Sequence, residues 1–125
     1  MDWRLMRVEV AEDSMRPTLL PGDWLIARRT RRIRPGQVVL AWHPSRDGLL
    51  LVKRAAWRAD GGWWLASDNP LAPGATDSSR FGPVAAEKIV GRVLGRYSPF
   101  RTVRLFPASR EARRAPRRET GPREA

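Results

Sequence analysis

The chain has 125 residues, a formal charge of +11 and no cysteine. That length allows one domain around one modest core. The missing thiols exclude a cysteine nucleophile, a disulfide framework and a cysteine-ligated zinc site. The charge draws acidic partners non-specifically.

In chain order, Met1 to Arg7 carries no apolar stretch of the kind found in signal peptides. No apolar run approaches the ~20 residues that a membrane-crossing helix needs. Asp23-Trp24-Leu25-Ile26-Ala27 and Gln37-Val38-Val39-Leu40-Ala41-Trp42 are short, apolar and rich in strand formers. Each follows a Pro-Gly pair, Pro21-Gly22 and Pro35-Gly36, and the echo between them reads as turn chemistry rather than an internal repeat. Gly48 to Trp57 reads as a longer strand, with Gly62 to Ser67 as its hairpin partner across Asp60-Gly61. Trp63 and Trp64 then face opposite sides of that partner. Asp68 to Val84, dense in Pro, Gly, Ser and Asp, reads as loop, and Glu87 to Leu94 as the last strand. Helix signals are weak apart from a possible turn beginning near Ser14.

The expected fold is therefore mainly β, built from several short antiparallel strands with no transmembrane helix. Residues after about Phe106 are polar, arginine-rich and without apolar periodicity. They divide the chain into a folded domain over 1–106 and a basic, disordered tail over 107–125.

Chemistry concentrates on two residues. Of 24 Lys plus Arg, lysine occurs only at Lys53 and Lys88, so arginine was used wherever bare charge sufficed. Arginine stays protonated, whereas a desolvated lysine can lose its proton and act as a base. Lys53 sits in the apolar stretch Leu51-Val52-Lys53-Arg54, and Ser14 in Ser14-Met15-Arg16-Pro17-Thr18-Leu19 offers a nucleophile for it. Lys88, beside Glu87, reads as a solvated strand-end residue. The single histidine, His43, lies in a turn-like stretch and reads as a solvated loop imidazole. No residue spacing suggests a metal site, and no cofactor is expected.

The order of motifs resembles the type I signal peptidase family. Ser14-Met15-Arg16-Pro17-Thr18-Leu19 is followed by Pro21-Gly22-Asp23, Val52-Lys53-Arg54, Ser67-Asp68-Asn69-Pro70, Asp77-Ser78, Phe81-Gly82-Pro83-Val84 and Gly91-Arg92-Val93. Self-cleaving repressors of the SOS type share the first block and a downstream lysine. The resemblance covers about residues 8 to 99 and implies a β-rich catalytic core shared by these two groups. It implies Ser14 as nucleophile and Lys53 as general base. It places Met15 and the Ser14 backbone N–H beside the oxyanion, and Asp68, Asn69 and Asp77 in supporting roles. The role of orienting the lysine falls to Thr76, to Ser78 or to no residue. Many members carry a serine two positions before the nucleophile as a second oxyanion donor. Here that position is Glu12, which cannot donate when ionised.

The chain reaches Ser14 after thirteen residues with no membrane anchor. In this it resembles the small bacterial proteases that mature nickel-type superoxide dismutase. The resemblance implies a cytoplasmic serine endopeptidase whose partner is a precursor protein with an N-terminal leader. The nickel would belong to that substrate. Two other readings are a general signal peptidase acting on exported preproteins and a non-catalytic binding module with a basic tail. Retention of Ser14 and Lys53 argues against the binding module, and no nucleic-acid recognition motif is present. Nothing in the chain indicates an oligomeric state.

Overall fold

Two Pro-Gly turns organise the first half of the chain. In this computed structural model, which describes residues 4–72, 75–98 and 101–106, the turns Leu20–Asp23 and Arg34–Gln37 each close by an N–H to carbonyl bond, at 3.0 and 3.2 Å. Proline precedes a glycine at φ +92° in one turn and +93° in the other, the pattern of a type II turn. In both, the last residue's side chain also accepts from the first residue's N–H: Asp23 Oδ2 from Leu20 and Gln37 Oε1 from Arg34, each at 2.9 Å. The sequence echo is one turn used twice.

Each turn launches a strand. The first part of the chain forms β1 (Leu5–Glu9), β2 (Trp24–Arg29), β3 (Val38–Trp42) and β4 (Leu50–Ala59). Then come β5 (Gly62–Ala66), a single turn of helix α1 (Ser78–Phe81), β6 (Val84–Ala85), β7 (Ile89–Ser98) and β8 (Arg101–Leu105). The strands make one antiparallel, curled sheet in the order β1-β2-β7-β3-β4-β5-β6, with β8 also paired to β7. Central β7 joins the N-terminal pair to the β3-β4-β5 meander. Among the described residues, no helix is long and apolar enough to cross a membrane.

Several elements depart from the sequence reading. The segment 68–84 is not all loop, because Asp77 caps α1 and Val84–Ala85 pairs with β5. The region of Ser14 forms turns and no helix. Glu87 and Lys88 lie in a short 3-10 turn, Ala86–Lys88, so β7 begins at Ile89, and it is followed by β8 rather than ending the sheet. Lys88 is half-buried rather than solvated. β1 carries no strong sequence signal: it is an edge strand that alternates between exposed and half-buried positions. Trp63 is buried, while Trp64 is half-buried and stacks on exposed Trp57 at 5.5 Å. The tail expected over 107–125 lies outside the described residues.

The strand alternation builds two cores. Val38, Leu40 and Val52 join Leu25, Ala27 and Val93 in one; Val39, Ala41 and Ala55 join Trp63, Leu65 and Ile89 in the other. Met15 and Leu19, from the turn that carries Ser14, are fully buried in the first. Burying two such side chains stabilises the loop by about 2–3 kcal/mol each.

At Gly91, where β7 passes between β2 and β3, a Cβ would collide with the Arg28 carbonyl oxygen. Both neighbours are strand backbone and cannot yield cheaply. Gly91→Ala is expected to cost about 2–4 kcal/mol, measured by urea unfolding. Gly48→Ala, where a Cβ meets nothing but φ is +78°, should cost about 1–2 kcal/mol.

Candidate active site

The loop between β1 and β2 is closed at its neck by Val10 N–H to Asp23 O and Gly22 N–H to Val10 O, both at 2.8 Å. Within it, Leu19 N–H donates to Met15 O at 2.9 Å and Arg16 N–H to Asp13 O at 3.1 Å. With Met15 and Leu19 sunk into the core, Ser14 is held almost fully buried. A second loop clamps it from outside. Asn69 N–H donates to Ser14 O at 2.8 Å, its Nδ2 to Asp13 O at 3.2 Å, and Asp68 N–H reaches Met15 Sδ at 3.4 Å. The exposed Arg16–Asp13 ion pair, at 2.6 Å, adds little. Glu12 is exposed.

Lys53 lies in the middle of β4 with no solvent exposure. Its Nζ donates to Ser14 Oγ at 2.8 Å and to Ser67 Oγ at 3.1 Å. Removing an ammonium from water disfavours its charged form, so these surroundings favour the free amine that a base requires. The next residue, Arg54, points to the opposite face. Its Nη2 and Nε bond Asp68 at 2.5 and 3.1 Å, and Nη1 donates to Gly36 O at 2.9 Å. Burial lowers the Arg54 pKa to about 10, which leaves it charged at neutral pH. The fork against Asp68 is the strong, bidentate form of ion pair. Thr18 Oγ1 also donates to Asp68, at 2.7 Å, tying the Ser14 loop into the same group.

Asp77 supports the lysine from behind. Its Oδ2 accepts from Ser67 N–H at 2.9 Å, and its Oδ1 accepts from Ser79 N–H at 2.9 Å and Ser79 Oγ at 2.6 Å. Burial pushes its pKa up, but the hydrogen bonds from Ser79 and Ser67 outweigh this and hold it below the ordinary value. Ser78 uses its hydroxyl to accept from Leu65 N–H at 2.8 Å, and Thr76 is half-buried on the approach to Asp77. The hydroxyl that meets Nζ besides Ser14 is Ser67, which the motif comparison did not single out. Its signal was its place at the head of Ser67-Asp68-Asn69-Pro70, directly after the hairpin partner of the lysine strand.

His43 corrects a second expectation. It is buried rather than solvated: its Nδ1 accepts from Ser45 and Arg46 N–H, both at 3.1 Å, and its ring meets Phe81 edge-on at 4.9 Å. Burial, then the nearby Arg46 charge, lowers its pKa, so it is a neutral turn-forming residue. Among the described residues, no group of three or more His, Asp or Glu stands close enough to hold a metal ion.

The geometry thus brings a hydroxyl nucleophile and a buried amine together on a curled β-sheet, an arrangement suited to acyl transfer. The family model described as Peptidase S24-like matches residues 4–94, and the chain belongs to the Peptidase S24-like family. That family carries a serine-peptidase type of fold, which agrees with the broad grouping of signal peptidases and self-cleaving repressors drawn from the motif order. No curated protein and no solved structure matches the chain.

Asp68→Asn leaves the Arg54 charge buried without its counter-ion and should cost about 3 kcal/mol in urea unfolding. Thr18→Val, which removes only one hydroxyl from the same carboxylate, should cost about 1 kcal/mol. For Asp77 the folded state binds its proton less readily than the unfolded chain does. Its contribution is therefore complete above the ordinary value of 3.8 and is lost as pH falls through the lower folded value. Asp77→Asn should flatten the fall in stability measured by urea unfolding between pH 5 and pH 3.

Proposed function

We propose that the protein is a cytoplasmic serine endopeptidase with a Ser14/Lys53 dyad, which removes an N-terminal leader from a precursor protein. The observation that supports this reading is the buried 2.8 Å contact between Lys53 Nζ and Ser14 Oγ. With Nζ as the free amine, the same contact runs from the Oγ hydroxyl into the nitrogen lone pair, the direction that proton removal needs. Oγ attacks the scissile carbonyl as its proton passes to Nζ. The Ser14 N–H, beside Met15, receives the developing oxyanion, where one preorganised donor is worth about 3 kcal/mol. Lys53 then returns the proton to the leaving amine, leaving an acyl group on Ser14. Water, deprotonated by the same amine, releases the acyl product. Ser67 is a positioning residue that keeps Nζ aimed at Oγ, and Asp77 fixes Ser67 through its backbone N–H. Asp68 and Asn69 hold the nucleophile loop against the lysine strand.

The proposed substrate is a nickel superoxide dismutase precursor, whose new amino terminus would be freed by the cut. The support is the resemblance of this small chain to the maturation proteases within the grouping that the motif order indicates. The test is mass spectrometry of that precursor after incubation with the purified protein. Wild type should release a defined N-terminal leader and Ser14→Ala none. Release of the same leader by Ser14→Ala would overturn the nucleophile. Lys53→Arg should be about as inactive as Lys53→Ala, since arginine cannot serve as the base. Ser67→Ala should lower kcat by about tenfold with little change in KM, corresponding to one lost hydrogen bond. Because the base works only when uncharged, kcat/KM should fall towards acid pH, and Ser67→Ala should move that limb whereas a purely structural loss would not.

A further inference from the structure

Lys53 is one member of a row that crosses the sheet. It opposes Val39 on β3, Val39 opposes Arg92 on β7, and Arg92 opposes Arg28 on β2. Directly opposed residues share a face of the sheet, so both arginines project on the face that carries Lys53. At the usual strand spacing they stand about 10 and about 14 Å from it. Like charges placed directly opposite one another destabilise a sheet. Among the described residues, neither arginine has an acidic partner. Arg92 Nε is buried with no hydrogen-bond partner among those residues, while Arg28 is exposed beside it. Arg54 and Arg96 differ in having a carboxylate nearby: Arg54 is forked on Asp68, and Arg96 Nε, although it too makes no hydrogen bond among the described residues, lies 3.8 Å from Asp23.

One carboxylate would satisfy both demands. It accepts paired N–H groups from a guanidinium, and its charge removes the repulsion between the two cations. We propose that Arg28 and Arg92 form a subsite for an acidic side chain of the polypeptide that is cut at Ser14. The occupant rests on the protease reading above; the subsite itself rests on the opposed arginines.

The probe is hexaglutamate, titrated by calorimetry into the full-length Ser14→Ala protein, which needs no cleavage for the result. Arg28→Gln/Arg92→Gln should bind at least tenfold more weakly. Arg46→Gln/Arg80→Gln, which removes the same charge from two other exposed sites, should lose less than twofold. Hexaglutamate should raise the melting temperature of the parent and leave that of Arg28→Gln/Arg92→Gln unchanged. Arg28→Gln alone, at an exposed position, guards against a folding failure and should lose at least threefold. Equal losses in the two double variants would overturn the subsite and leave only the overall charge. Displacement of hexaglutamate by a lower concentration of oligothymidylate of equal charge would overturn the peptide occupant in favour of nucleic acid. Absence of precursor cleavage alongside an intact affinity contrast would sink the protease reading and leave the subsite. Cleavage without the contrast would do the reverse.

Discussion

The proposed chemistry depends on keeping one lysine amine away from water. A buried charge is costly unless it is bonded, and Lys53 Nζ is bonded to the hydroxyls of Ser14 and Ser67. A hydroxyl both donates and accepts, so the same pair of contacts serves the ammonium and the free amine. Both hydroxyls are in turn held by the chain around them. Ser14 is fixed because Met15 and Leu19 are buried on either side of the turn, and Ser67 because its N–H is bonded to Asp77.

Three consecutive residues after β5 each reach different partners. Ser67 meets Lys53, Asp68 meets Arg54 and Thr18, and Asn69 meets the backbone of Asp13 and Ser14. The short stretch therefore fastens the lysine strand to the Ser14 loop from one side. Leaving the sheet at Ala66 frees these residues from strict alternation, so that neighbours can point to both faces. Asp77 then anchors the far end of the same loop by capping α1.

Strand periodicity made β2, β3, β4 and β5 legible, because apolar runs and Pro-Gly or Asp-Gly turns mark their limits in the sequence. β1 and β8 were not legible: edge pairings need little apolar surface, and Leu5–Glu9 is exposed at alternate positions. Ser14 and Lys53 stood out by residue type, and Asp68, Asn69 and Asp77 by resemblance. Ser67 was missed for a geometric reason. Counted without interruption from the Asp60-Gly61 turn, the β4-β5 register would set Ser67 against Arg54. A bulge between Ala55 and Trp57 shifts the pairing so that Arg54 opposes Ala66, which carries Ser67 to Lys53. One extra residue in a strand leaves no compositional trace, yet it decides which hydroxyl meets the lysine. His43 misled for the converse reason, since turn composition says nothing of the Phe81 ring that covers it.

Adjacent cations on β4 show why lysine and arginine cannot be exchanged here. Position 54 needs a planar fork that reaches Asp68 twice and the Gly36 carbonyl once; an ammonium on a flexible stem offers neither the spread nor the fixed angles. For the proposed chemistry, position 53 needs a group that fits between two hydroxyls and can give up its charge, and a guanidinium does neither at any ordinary pH. The low proton affinity that burial confers is harmless at Arg54, whose pKa near 10 still leaves it charged beside Asp68. At Lys53, fully buried beside Ser14, the same desolvation weighs against the charged form. Two neighbouring residues thus take opposite parts because strand alternation gives them different faces and different partners. In a chain whose cations are all arginines apart from Lys53 and Lys88, the proposed chemistry accounts for the lysine at position 53.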